Sequence, residues 1–326
     1  MTTTSKTATL KSQVEALLET SVDNHEHADH LINEICYLYE AAAGINGRNT
    51  ATEYITNVPT EVGVSLSLNH AASCMTDYRR THKLLIGIVQ AIRDLQAEKP
   101  NELIRVFYAG SGPLAPFFTM VAPLFSSEEI QFTLLEVNKK SMAVAKELID
   151  NLELNAYVDD FYTADAITFE IPNAKTYDIL FSETLDSLLN RESYVPILWN
   201  FLPQLKEDVT VIPENVQIKV NYKDPNGEEK PFGIAFDTRK MLKETPKTEE
   251  LPDKLPTVSL PLKDAANYDS IILDTEVKIY KDCMLTRGES SISLALEVPI
   301  QKPVMNQYAD FVYTIKPTPG LKIGVR

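Results

Sequence analysis

The sequence predicts an α/β protein with a parallel-sheet core over residues 101–213. A helical region over 1–100 precedes it, and a β-rich antiparallel part over 214–326 follows it. Three observations predict this. Apolar residues in the front region recur at three- and four-residue spacing, the mark of amphipathic helices. In the middle, short apolar runs alternate with helical patterns, and the first run opens into glycines. Beyond Pro213 the strands are short, alternate apolar with polar, and sit among prolines, as in an antiparallel sheet with one wet face.

The first helix carries Leu10, Val14, Leu17, Leu18 and Val22 on one face, and the second carries Leu31, Ile32, Ile35, Leu38 and Tyr39. The second is expected to stop near Gly44, with Asn46-Gly47 as a turn. A long helix is expected over 77–97, striped by Leu84, Leu85, Ile88, Val89 and Ile92 and closed by Pro100. In the core, strands are predicted over 104–109, 132–137, 178–181 and 209–212, with a helix over 139–152. A further helix is expected directly after the glycines, with Phe117, Phe118 and Met120 in its core. Asp159-Asp160 reads as a polar turn. The β-rich part has strands over 216–220, 257–260, 271–280, 291–298 and 311–315. Asn226-Gly227 marks a hairpin turn, and 240–256 reads as a long surface loop.

Composition narrows the function. The chain of 326 residues has 44% apolar and 24% charged residues, enough for a sizeable core. Its 46 acidic residues exceed its 31 basic ones, a net charge of −15, which speaks against nucleic acid or an anionic membrane surface as partner. A cationic ligand is compatible with that balance. Cys36, Cys74 and Cys283 are odd in number and far apart, so neither a disulfide framework nor a paired-cysteine metal site is expected. His25, His27 and His30 fall on different faces of a helix, so no metal is expected there. No secretory signal and no membrane span is visible, and a cytoplasmic location is expected.

The sharpest local signal is Val106-Phe107-Tyr108-Ala109-Gly110-Ser111-Gly112-Pro113-Leu114, an apolar strand running into a glycine turn. Glycine lets backbone approach a ligand closely, although packing alone can also demand it. Glu136 closes the next strand, where a carboxylate can accept both hydroxyls of a ribose. Asp165 follows the third. All three positions fall at carboxyl ends of strands, where open α/β sheets bind ligands. The turn lacks a full GxGxxG, and Pro113 removes an amide that a pyrophosphate would need. S-adenosyl-L-methionine, which has no phosphate, therefore fits better than a dinucleotide. Tyr108, Gly110, Ser111, Gly112 and Glu136 are the candidate cofactor contacts.

Past the strand over 178–181, Ser182-Glu183 is followed nine residues later by Glu192. A loop that doubles back could bring both carboxylates over one pocket. Together they could clamp a planar guanidinium and leave one nitrogen free to attack a methyl sulfonium. A solvated acidic loop, with Glu192 paired to Arg191, has the same spacing.

These residues resemble the catalytic core of protein arginine methyltransferases, over roughly 75–220. The Ser-Glu opening and the nine-residue spacing are similar to that family's double-glutamate loop. Asp77-Tyr78-Arg79-Arg80-Thr81 resembles its Asp-x-x-Arg-Thr, the stretch over 201–216 resembles its proline-ended strand, and Gly110-Ser111-Gly112-Pro113-Leu114 resembles its type II branch. The resemblance implies a class I methyltransferase with a Rossmann-like core. It implies Glu183 and Glu192 as catalytic residues, Arg80 on the cofactor's carboxylate, and Asp165-Ala166 at adenine. The family's aromatic motif and Thr-His-Trp loop are absent, and all five histidines precede the core. That loss suits a small cationic guanidino or amino substrate, free arginine above all, better than a peptide. The front region would either cover the pocket or build a homodimer. The glycine turn is also similar to that of nicotianamine synthases, which move the aminocarboxypropyl arm of the same cofactor. An inactive cofactor-binding interaction module is a third reading. Cys74 and Met75 could line the pocket, with core packing as the simpler reading.

Overall fold

The computed structural model describes residues 5–326 apart from 46, 249, 263–264 and 305–306, so the predicted turn at Asn46 lies outside the described residues. Helix α1 (Lys6–Glu19) starts at Ser5, whose side chain accepts a hydrogen bond from the Ala8 amide. It buries Leu10, Val14 and Leu17 against α2 (His25–Ala43). Val22 is not part of this stripe: Thr20 turns extended and ends the helix, leaving Val22 40% exposed.

The front region is not helical throughout. After the short α3 (Thr52–Ile55), strands β1 (Val58–Pro59) and β2 (Val64–Ser65) form a small antiparallel hairpin. Too few residues alternate there for periodicity to reveal it. Helix α4 (Leu68–Ser73) follows, and then α5 (Tyr78–Glu98), the long helix, with Leu84, Leu85, Ile88, Val89 and Ile92 buried. His25 accepts from Arg79 and His30 lies beside Glu34, so the two histidines face different partners. Among the described residues, no helix is long and apolar enough to cross a membrane.

The core sheet has five strands: β3 (Ile104–Ala109), β4 (Ile130–Leu135), β5 (Val158–Tyr162), β6 (Ile179–Ser182) and β7 (Thr210–Ile212). All pairs are parallel and the order is β5-β4-β3-β6-β7. Chain direction across the sheet reverses between β3 and β6. Ligands bind at such a switch point, outside the strand carboxyl ends. Asp159 and Asp160 belong to β5 itself and not to a turn; the strand is at the sheet edge, where charged side chains stay wet. The helix expected after the glycine turn is short. Only α6 (Pro116–Thr119) and a single 3₁₀ turn follow, because Pro113, Pro116 and Pro123 interrupt the backbone pattern. Phe117, Phe118 and Met120 are nevertheless buried. Helix α7 (Lys139–Asn151) then crosses from β4 to β5, and α8 (Tyr194–Phe201) from β6 to β7.

The C-terminal sheets are antiparallel. Strand β8 (Asn215–Lys223) alternates buried Val216, Ile218, Val220 and Tyr222 with half-buried polar residues, and turns at Gly227 into β9 (Glu229–Asp237). Helix α9 (Thr238–Glu244) occupies the start of the predicted surface loop. That loop is not wholly superficial: Leu255 is 1% exposed and its amide bonds to Tyr313. Strands β10 (Val258–Pro261), β11 (Ser270–Tyr280), β12 (Cys283–Leu285), β13 (Leu296–Pro299), β14 (Tyr308–Thr314) and β15 (Gly320–Val325) complete two sheets, β12-β11-β8-β9 with β13 on β11, and β10-β14-β15. The strand predicted over 291–298 is in fact a 3₁₀ turn, Ser291–Ser293, capped by Ser290, followed by the four residues of β13. Serine hydroxyls compete there for the backbone and stop a ladder.

Candidate active site

At the carboxyl ends of β3, β4 and β6 lies a cleft, open to solvent at its mouth. Arg80, Tyr108, Gly110, Ser111, Gly112, Glu136, Asp165, Ala166, Glu183 and Glu192 all line it.

The glycine turn forms the floor. Gly110 has φ 72°, and a Cβ on it would sit 2.5 Å from the Thr184 methyl, so turn and double-glutamate loop touch only because this side chain is missing. The amides of Gly110 and Ser111 both donate to the Leu135 carbonyl. Ser111 is 1% exposed and its hydroxyl has no hydrogen-bond partner among the described residues. Glu136 joins the turn to the start of α7: Oε2 accepts from the Gly112 amide at 2.9 Å, and Oε1 from the Asn138 amide at 2.8 Å. Burial pushes its carboxyl above the usual range, against the pull of these amides. Asp165 lies three residues past β5; Oδ1 accepts from Ile167 and Oδ2 from the Glu61 amide of the front hairpin at 2.6 Å. Asn200 of α8 fixes the Ala166 carbonyl.

Arg80 is 5% exposed. Its Nη2 donates to the Cys74 carbonyl at 2.6 Å and its Nη1 to Glu183 Oε1 at 3.3 Å. So the arginine predicted to hold the cofactor's carboxylate is also tied to one of the two glutamates. Its helix is anchored from the β-rich part, where Asp77 accepts from both Ser290 and Ser291 hydroxyls and from the Ser291 amide.

Glu183 directly follows β6, and the chain then doubles back through backbone that side chains rarely adopt. Leu188, Leu189 and Arg191 have φ of 57°, 55° and 64°. Such strain persists only where the surroundings over-determine it. The Leu188 amide donates to Thr275, the Leu189 carbonyl accepts from Tyr313, and the Arg191 amide donates to the Pro319 carbonyl. The β-rich part thus holds the loop in shape. Arg191 pairs with Asp186 and not with Glu192, so the solvated-loop reading does not describe this loop. The Glu192 carboxylate accepts no hydrogen bond among the described residues.

Burial raises both glutamates. Glu183 is pushed up to about 7, less than burial alone would do, because Arg80 draws it down. Glu192 is pushed up to about 8 by burial and by the Glu183 charge beside it. Arg80 moves the other way in effect: burial disfavours its charge, but Glu183, Cys74 and Asp77 together more than restore it. Arg80 has further support from Cys74 and Asp77, whereas Glu183 among the described residues is drawn down by Arg80 alone.

Two carboxyls whose folded pKa lies above the unfolded value bind protons that the unfolded chain has released. Their contribution is full below the ordinary carboxylate range and is lost as pH rises through about 7 and 8. The ligand-free protein should therefore lose stability between pH 6 and 9, measured as a falling denaturation midpoint. A cationic ligand should reverse that slope by holding both groups ionised. A midpoint independent of pH over this window would contradict the buried placement of the pair.

The sequence did not reveal the front hairpin, whose Thr60, Val64, Ser65 and Leu66 line the cleft. Cys74 and Met75 line it too, the place the sequence allowed them beside the simpler reading as core. Asn57-Val58-Pro59 and Gly63 were the only signals, too short to separate from a loop.

No known sequence family matches the chain, and no curated protein matches its sequence. A solved structure of protein arginine methyltransferase 10 from Arabidopsis thaliana, described as a uniquely open conformation, is similar to it. It is 10% identical, with 78% of this chain and 97% of that chain covered and a TM-score of 0.49. A likeness at that level carries no functional argument.

Proposed function

We propose that the protein is an S-adenosyl-L-methionine-dependent N-methyltransferase acting on a guanidino group of a small, arginine-like molecule. The observation that supports this most is the pair Glu183 and Glu192, which line the same cleft as the glycine turn, with Glu192 unengaged by any donor among the described residues.

The cofactor suits the residues present. The unpartnered Ser111 hydroxyl offers a buried hydrogen-bonding atom, Glu136 a carboxylate for a ribose diol, and Arg80 a cation for a carboxylate. Met75, Phe117, Leu135 and Ile197 supply an apolar wall for a purine. When bound, it would supply a methyl group already activated on a sulfonium. The protein's own part is then mostly positioning and charge. Glu183, oriented by Arg80, and Glu192 grip the guanidinium from two edges and draw its positive charge toward themselves. Electron density is left on the third nitrogen. To take a methyl group from such a donor, that nitrogen would have to give up a proton. Glu192, raised toward neutrality, can accept it.

The test is incubation of the protein with the cofactor and a mixture of small guanidino compounds, followed by mass analysis. A methylated guanidino compound with S-adenosylhomocysteine is expected. Methylthioadenosine would instead indicate aminocarboxypropyl transfer. Cofactor binding without turnover would indicate an inactive binding module.

A further inference from the structure

We infer that the acceptor is a cationic base without a carboxylate, an alkylguanidine or its amide-capped equivalent, and not an amino acid. This deepens the methyl-transfer reading and rests on it. Among the described lining residues, the charged groups are Arg80 against Glu136, Asp165, Glu183 and Glu192. Arg80 is committed to Glu183 and Cys74, and what remains of its donor capacity is the only cation in the lining for the cofactor's own carboxylate. Of the other cations near these residues in sequence, Arg79 is turned to His25, Lys83 to Met284 and Glu289, Lys140 to Glu53 and Arg191 to Asp186, and Lys139 is exposed. Free arginine gripped by its guanidinium would thus carry its carboxylate into a cleft with four carboxylates and no cation to spare. A charged group left unpaired away from water is costly, and like charges add to the cost. The same lining welcomes a second positive charge on the acceptor's tail.

The structure also disfavours a peptide. The outer face of the double-glutamate loop is covered by the front hairpin and by the turn before β15. A Cβ on Gly63 would lie 2.8 Å from the Arg191 carbonyl and 2.9 Å from the Pro319 ring. The Gly63 amide donates to Pro317, and the Ser193 hydroxyl donates to Val62. An extended chain crossing Glu192 would have to displace these contacts.

A matched pair of acceptors tests this. The whole protein is incubated with S-adenosyl-L-methionine and, separately, arginine, arginine amide, guanidinobutylamine and an arginine-containing peptide. Arginine and its amide differ in the carboxylate alone. The amide and guanidinobutylamine should be methylated with kcat/KM roughly tenfold to a hundredfold above arginine, the penalty of one unpaired charged group. Equal or better use of arginine overturns the inference and leaves the methyl-transfer reading standing. So does a peptide outperforming every small acceptor. Failure of all four with the cofactor still bound, or formation of methylthioadenosine, overturns the methyl-transfer reading itself, and the inference falls with it.

Discussion

Replacing Glu192 by Gln should lower kcat/KM for the guanidino acceptor by about 10²–10³, while the cofactor dissociation constant stays within about threefold. The amide keeps the shape of the carboxyl and removes only the charge that would hold the guanidinium. Glu183→Gln should match that loss and should also loosen Arg80, whose Nη1 then donates to a neutral oxygen instead of a carboxylate. Stability separates this role from a structural one. Above pH 8, wild type holds two ionised carboxylates side by side in a half-buried place, so Glu192→Gln should be neutral or stabilising in the ligand-free protein even as activity collapses. Near-normal turnover by either variant would end the substrate-clamp assignment. Steady-state kinetics, cofactor titration and chemical denaturation at pH 9 together decide it.

Much of this site was legible in the sequence because its parts are local. A strand that ends in Gly110-Ser111-Gly112 announces its turn, and Glu136 and Glu183 each sit within one residue of a strand end. Ser182-Glu183 and Glu192 could be related by counting. The rest was illegible for identifiable reasons. The Arg80–Glu183 contact joins positions 103 apart in the chain, and no periodicity encodes such a pair. The front hairpin has two residues per strand, too few to alternate visibly. The helix expected after the glycine turn was cut short by three prolines, a backbone effect that the apolar pattern of Phe117, Phe118 and Met120 conceals. The strand expected over 291–298 failed because serine capping of a 3₁₀ turn outcompeted the ladder, and that turn then serves the site through Asp77. The β-rich part was legible as strands. Its task of holding Leu188, Leu189 and Arg191 in left-handed backbone was not.

Arg80→Leu should have the largest effect on stability, and its size should depend on pH. The guanidinium is what offsets the Glu183 charge in a buried setting, and removing one partner of such a pair costs about 3–5 kcal/mol because the other is left uncompensated. That cost requires Glu183 to be ionised. Its carboxyl is pushed up to about 7 with Arg80 present, and without Arg80 it must rise further, since the pull downward is gone. At pH 6 the variant can hold Glu183 neutral and lose mainly the hydrogen bond to the Cys74 carbonyl, a loss of about 1–3 kcal/mol. The unfolded chain has Glu183 ionised at both pH values; folded wild type ionises it as pH passes about 7, whereas the variant must keep the proton to higher pH or hold an uncompensated charge, so the deficit grows as pH rises through about 7. Urea denaturation of wild type and variant at the two pH values measures the difference directly. An equal deficit at both would mean that Arg80 supports packing and not the Glu183 charge. The pair Arg80→Leu with Glu183→Gln supplies the control: the double variant should recover much of the stability lost at pH 9 and none of the activity.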